Sequence, residues 1–264
     1  MGTFLAIALL GFVLGMRHAT DSDHVVAVST IVSQQRRLSL ASLIGVLWGI
    51  GHSITILLVG TAIIIFNVVI PPHVGLSMEF AVAIMLVVLG VLNLSGVMRW
   101  VTENLTPGAR SRADHWHFHA HDSDVHAHVH SHGPAPALEA RVNAPFRLLE
   151  RLGWYQLIRP LAVGLVHGLA GSAAVALLVL TTINDPYWAV FYLVIFGIGT
   201  LVGMMLITSA IGYSFIFTAN RFGNLGRYIG VASGVMSIVL GVYLMYQIGI
   251  VEGLFTGSPN WSPE

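Results

Sequence analysis

Leu10-Gly11-Phe12-Val13-Leu14-Gly15-Met16-Arg17-His18-Ala19-Thr20-Asp21-Ser22-Asp23-His24-Val25-Val26-Ala27-Val28 decides how this chain is read. Five ionisable groups, Arg17, His18, Asp21, Asp23 and His24, stand between two apolar runs. Together the runs are long enough to cross a hydrocarbon core, which takes about 20 residues. Each arginine or aspartate at the centre of a membrane helix costs roughly 2.5–3.5 kcal/mol on insertion scales. Such a set persists only if it faces a protein interior or a watery cavity and is paired, and this marks it as a site.

At 100° per residue, a regular helix puts His18, Asp21 and Ser22 on one face, with Asp23 and His24 about 140° and 240° away from His18. One straight helix cannot aim both histidines at one ion. The helix unwinds near Gly15, or the histidines serve two sites, or one of them is structural; a local break lining a cavity is the favoured reading. Imidazole nitrogens with carboxylate oxygens suit nickel, cobalt or zinc better than copper(I) or calcium. A packing knot built on an Arg17–Asp pair is the bland alternative.

Outward from this stretch the chain stays apolar. Of its 264 residues 55% are hydrophobic and 9% charged, and the mean hydropathy is +0.79. Soluble domains carry about 25% charged residues, so a membrane protein is implied. No cysteine is present, which removes disulfides and thiolate metal sites. All twelve basic residues are arginine and balance twelve acidic ones, with no basic patch to support nucleic-acid binding. With no lysine in the chain, a phosphate-binding Gly-x-x-x-x-Gly-Lys-Ser/Thr loop cannot form. The first apolar run lacks a basic lead and a small-residue cleavage site, so it is expected to be a retained helix.

Six spans are expected, at 3–32, 40–66, 78–98, 160–182, 187–216 and 226–250. Arg36 and Arg37 follow span one, Arg99, Arg110 and Arg112 follow span three, and Arg221 and Arg227 lie between spans five and six. By the positive-inside rule both termini are expected outside and the 99–159 segment inside a cell membrane. His18 aligns with His167, Gly49-Ile50-Gly51 with Gly197-Ile198-Gly199, and Leu89-Gly90-Val91 with Leu240-Gly241-Val242, at offsets of 149, 148 and 151. Three spans per half would set the second copy upside down, the inverted-repeat plan of many transporters. The organisation expected is therefore an all-α integral membrane protein of six transmembrane helices as two inverted three-helix repeats, 1–98 and 160–264, joined by a loop at 99–159.

Further histidines lie in other spans. Gly49-Ile50-Gly51-His52-Ser53 and Gly164-Leu165-Val166-His167-Gly168-Leu169-Ala170-Gly171-Ser172 each set one histidine at mid-membrane among glycines that let backbones approach closely. His52 and His167 join His18, Asp21, Asp23 and His24 as candidate metal residues, with Arg17, Ser53 and Ser172 in structural or gating roles. Asn93, Thr200 and Ser209 read as helix glue, and His73 in the outer connector as a guide for entering ions. In the loop, His115, His117, His119 and His121 alternate with other residues, as do His126, His128, His130 and His132; these are eight of the thirteen histidines. Such tracts give many weak, pH-sensitive metal sites that buffer metal or hand it to a cytoplasmic metallochaperone. Phe146, Arg147, Leu149, Arg151 and Leu152 suggest an interfacial helix leading into span four.

His18-Ala19-Thr20-Asp21-Ser22-Asp23-His24, preceded by Arg17, resembles the His-x4-Asp-His signature of the nickel/cobalt transporter family, and Gly51-His52-Ser53 resembles its second motif. The resemblance is strong over residues 10–60 and looser over 160–210. It implies a permease in which His18, Asp23 and His24 are metal-site residues and His52 assists. Larger members have eight spans and an acidic motif in the second half; this chain has six expected spans, with His167, Gly171 and Ser172 there, and looks like the shorter, urease-accessory-type branch. Secondary uptake of nickel, with cobalt as a further substrate, is the expected function, and no cofactor is expected. Efflux by the same fold and a non-transporting metal chaperone or sensor are the competing readings. An intramembrane metalloenzyme lacks a nucleophile or metalloprotease motif.

Overall fold

A computed structural model describes residues 2–33, 35, 37–66, 70–95, 116–121, 124–129, 157–170, 183, 185–222, 225–257 and 259–261. Its contacts divide the chain into two units, Met1–Val97 with Ile158–Glu264, and Met98–Leu157. The regular elements among the described residues of the first unit are all helices: α1 (Gly2–His18), α2 (Ser22–Val32), α3 (Leu38–Phe66), α4 (Pro72–Leu94), α5 (Leu157–Ala170), α6 (Pro186–Phe222) and α7 (Leu225–Tyr246), closed by a π-helical turn at Gln247–Val251. Among the described residues, four segments are long and apolar enough to cross a membrane: Leu38–Phe66, Pro72–Leu94, Pro186–Arg221 and Tyr228–Val251. Span one is broken into α1 and α2, and α5 covers the first part of span four; residues 171–182, Ser172 among them, lie outside the described residues. So does the expected interfacial helix at 146–152.

Glycines set the packing. The α3–α6 crossing is antiparallel: Gly45 lies against Met204 and Thr208, Gly49 against Leu201, and Gly197 against Ser53. α4 and α7 also run antiparallel, with Gly90 on Gly234 and Ile238 and Gly241 on Ala83 and Val87. α1 runs parallel to α6 and α5 parallel to α3, through Gly15 on Phe196 and Thr200 and Gly164 on Trp48 and His52. At these crossings a Cβ would strike backbone atoms of the facing helix, the close approach that small residues permit in lipid. Hydroxyls bolt the same crossings: Ser53 Oγ donates to the Gly197 carbonyl at 2.9 Å, Thr55 Oγ1 to Leu165 at 3.1 Å and Ser237 Oγ to Leu86 at 2.7 Å. Asn93 Nδ2 donates to the Gly230 carbonyl at 2.9 Å, Thr200 Oγ1 back to Phe196 at 2.9 Å, and Ser42 and Ser209 share a hydrogen bond of 2.8 Å. His73 is exposed at the start of α4.

The break in span one comes four residues later than Gly15. α1 ends at His18, whose carbonyl accepts from the Asp21 N–H at 3.1 Å, and Thr20 caps the turn through its N–H and Oγ1 on the Arg17 carbonyl at 2.8 and 2.6 Å. Asp21 is extended (φ −60°, ψ 148°), and α2 restarts at Ser22. Thr, Asp and Ser compete for backbone groups and favour such turns. Gly15 is spent on the α1–α6 contact instead.

Among its described residues the second unit adds a short hairpin to the otherwise helical chain. β1 (Trp116–His121) and β2 (Asp124–Val129) form an antiparallel hairpin, pairing His117 with His128, His119 with His126 and His121 with Asp124. Alternating histidines have period two, which is the period of a strand. His115, His130 and His132 lie outside the described residues.

Candidate metal centre

The α1–α2 break, the middle of α3 and α5 bring four imidazoles together. Ring centroids are 4.1 Å apart for His24 and His167, 4.8 Å for His18 and His24, 5.1 Å for both His18–His52 and His24–His52, and 5.9 Å for His52–His167. His24, His52 and His167 are buried, while the side chains of His18, Asp23 and Asp21 are 17, 30 and 51% exposed. All six residues singled out from the sequence thus meet in one place, reached from three separate chain segments. Arg17 is exposed, and the two carboxylates pair with histidines, so the Arg17–Asp knot does not form among the described residues.

Two carboxylates orient the rings. Asp23 Oδ1 accepts from His24 Nδ1 at 3.1 Å and Oδ2 from His167 Nε2 at 3.0 Å, while the His24 backbone N–H also donates to Oδ1 at 2.8 Å. An ionised carboxylate only accepts, so each bond fixes its ring's tautomer and leaves the other nitrogen with a free lone pair. Those nitrogens, His24 Nε2 and His167 Nδ1, are buried and have no partner among the described residues. Asp21 Oδ2 holds His18 Nδ1 at 2.9 Å, which turns His18 Nε2 toward His52 Nε2 at 3.1 Å; His52 Nδ1 is again buried without a partner among the described residues. Metal-ligating histidines commonly donate their second N–H to a carboxylate in this way.

Donor atoms of His18, His24 and His52 lie within 4.8 Å of one another, as do those of Asp23, His24 and His167. With metal–nitrogen bonds of about 2.0–2.1 Å, an ion spans donors up to roughly 4.2 Å apart, so small ring movements would close either set. His24 belongs to both. Ser53 bolts α3 to α6 behind the cluster rather than facing it as a donor. Trp48 and Phe196, which the sequence reading passes over, press rings on the cluster: Trp48 lies 5.6 Å from His167 and 6.2 Å from His24, and Phe196 5.5 Å from His18. The aromatic that precedes Gly-Ile-Gly in each half was the available signal.

A buried imidazole–carboxylate cluster at a helix break among lipid-length apolar helices defines a multi-pass membrane carrier of transition metal ions. The profile of the family described as "High-affinity nickel-transport protein" matches residues 4–256. The chain belongs to this nickel-transport family, and it is a transporter rather than an enzyme. It is similar to "Urease accessory protein UreH" of Bacillus sp. (strain TB-90), 35% identical over 251 residues that cover 95% of each chain, in keeping with the urease-accessory-type branch. No solved structure matches.

Proposed function

We propose that the chain is a secondary permease that takes up nickel, with cobalt as a further substrate, by alternating access between two inverted three-helix halves of a six-span protein. The observation that carries this reading is the set of three buried, unpartnered imidazole nitrogens on His24, His52 and His167, two of them held ready by Asp23. His18, His24, His52 and His167 would replace the water of the passing ion, with Asp21 and Asp23 compensating its charge. The break adds to this: α1 ends at the cluster, and the C-terminal end of a helix carries partial negative charge that favours a cation. Packing supports the inverted halves, since α3 pairs antiparallel with its counterpart α6 and α4 with α7, while α1 on α6 and α5 on α3 are both parallel.

In this reading the termini face outward, the arginine-bearing connectors face the cytoplasm of a cell-membrane protein, and the histidine hairpin receives incoming metal for a cytoplasmic chaperone. Flux of nickel into proteoliposomes of known orientation tests it; flux only in the opposite direction would replace uptake with efflux. Deleting 115–132 is expected to leave the maximal rate of nickel flux intact and to lower nickel retention per molecule, read by metal analysis of purified protein. Asp23→Asn is expected to weaken nickel affinity by about 10–100-fold, read by calorimetry in detergent, because an amide accepts on one side only and releases one of the two rings it orients.

A further inference from the structure

Both halves carry an aromatic residue directly before the repeated tripeptide: Trp48-Gly49-Ile50-Gly51 and Phe196-Gly197-Ile198-Gly199, at an offset of 148. The correspondence continues in space. Phe196 packs on His18 at 5.5 Å and Trp48 on His167 at 5.6 Å, and His18 and His167 are themselves the matched histidines of the two halves. Trp48 precedes His52 by one turn on α3, so it lies on the side of the cluster toward the Arg37 end of that helix. Phe196 precedes Thr200 by one turn on the antiparallel α6, which puts it toward the opposite end.

Each ring also belongs to a different apolar cluster. Trp48 packs with Ala41, Ile44, Leu86 and Leu89, and Phe196 with Ile56, Ala189, Tyr192 and Leu193. The polar centre therefore lies between two apolar clusters, each of which sets an aromatic ring against it. Trp48 is fully buried, yet its indole N–H has no acceptor among the described residues. A ring present only for packing would avoid that cost as phenylalanine. A donor left free in this conformation fits a side chain that takes another position in the transport cycle.

We propose that Trp48 and Phe196 are the paired gates of one permeation path, Trp48 closing the metal centre from the Arg37 face and Phe196 closing it from the opposite face. This rests on the alternating-access reading above and adds the groups that do the occluding. The inverted repeat gives the two gates equal placement, and a hydrated cation cannot pass either apolar plug until its ring swings aside.

The chain has no cysteine, so Thr200→Cys, buried one turn beyond Phe196, supplies a single reporter thiol between the gates. Full-length protein in vesicles of one orientation is treated with a membrane-impermeant methanethiosulfonate on one face at a time. Trp48→Ala is expected to raise labelling from the Arg37 face by about tenfold and to leave the opposite face unchanged; Phe196→Ala is expected to do the reverse. Trp48→Leu, which retains apolar bulk and a better chance of folding, gives a smaller rise on the same face, and Trp48→Phe restores closure. Labelling that rises equally from both faces, on the wrong face, or not at all in variants that still bind nickel overturns the gates. Nickel flux through the Thr200→Cys parent reports separately on transport: flux without side-selective labelling removes the gates and keeps the permease, whereas side-selective labelling without nickel flux keeps the gates and removes the proposed cargo cycle.

Discussion

His24→Ala is expected to lower nickel transport by more than about 100-fold while the protein still inserts and folds. Loss of an outer partner of a metal ligand already costs about 10–100-fold, and His24 contributes to both donor sets of the centre. Without its ring, His18 with His52 and Asp23 with His167 remain as two separate pairs, neither of which completes a three-donor site. Insertion survives because removing a polar group from a membrane helix does not oppose partitioning. Radioactive nickel flux into proteoliposomes and metal analysis of purified protein measure the effect. Wild-type flux in this variant would remove the centre from the transport path.

The second large effect is expected at the α3–α5 crossing. A Cβ at Gly51 would strike the Leu161 carbonyl oxygen and come within 3.0 Å of the Leu165 nitrogen, both backbone atoms that cannot rotate away. Gly51→Leu should therefore destabilise the protein by roughly 3 kcal/mol or more, the upper range for overpacking. That corresponds to a fall of roughly 5–10 °C in the thermal midpoint in detergent. Nickel binding should fall with it, because His52 follows Gly51 directly and His167 lies on the helix that would be pushed away. Gly230→Ala is the control: its nearest neighbours, in Ser33, are 3.9 and 4.0 Å away, an ordinary contact, so midpoint and binding should hold. A tolerated leucine at 51 would mean that the crossing is looser than described.

Much of this molecule could be read from one dimension. The cost of burying Arg17, His18, Asp21, Asp23 and His24 in a lipid-length segment announces a site before any contact is known. The 100° step likewise favours a break, because His18 and His24 cannot reach one ion from one straight helix. The location of that break was less legible. Gly15 is the obvious hinge in sequence, but α6 claims it for backbone contact, and the Thr-Asp-Ser run that follows supplies the turn. The histidine tracts show the same ambiguity, since an alternating pattern suits both a flexible metal buffer and a paired strand.

Apolar composition, arginine-bearing connectors, the histidine inventory and the nickel-type motif are carried by the chain itself, because hydrophobic transfer and ligand chemistry depend on residue type. Which nitrogens remain free, that Asp23 serves His24 and His167 across 144 residues, and that Trp48 and Phe196 bracket the cluster were settled only by folding. Hydrogen bonds and ring contacts fall off within a few ångströms, and only the glycine-lined crossings bring α1, α2, α3, α5 and α6 that close.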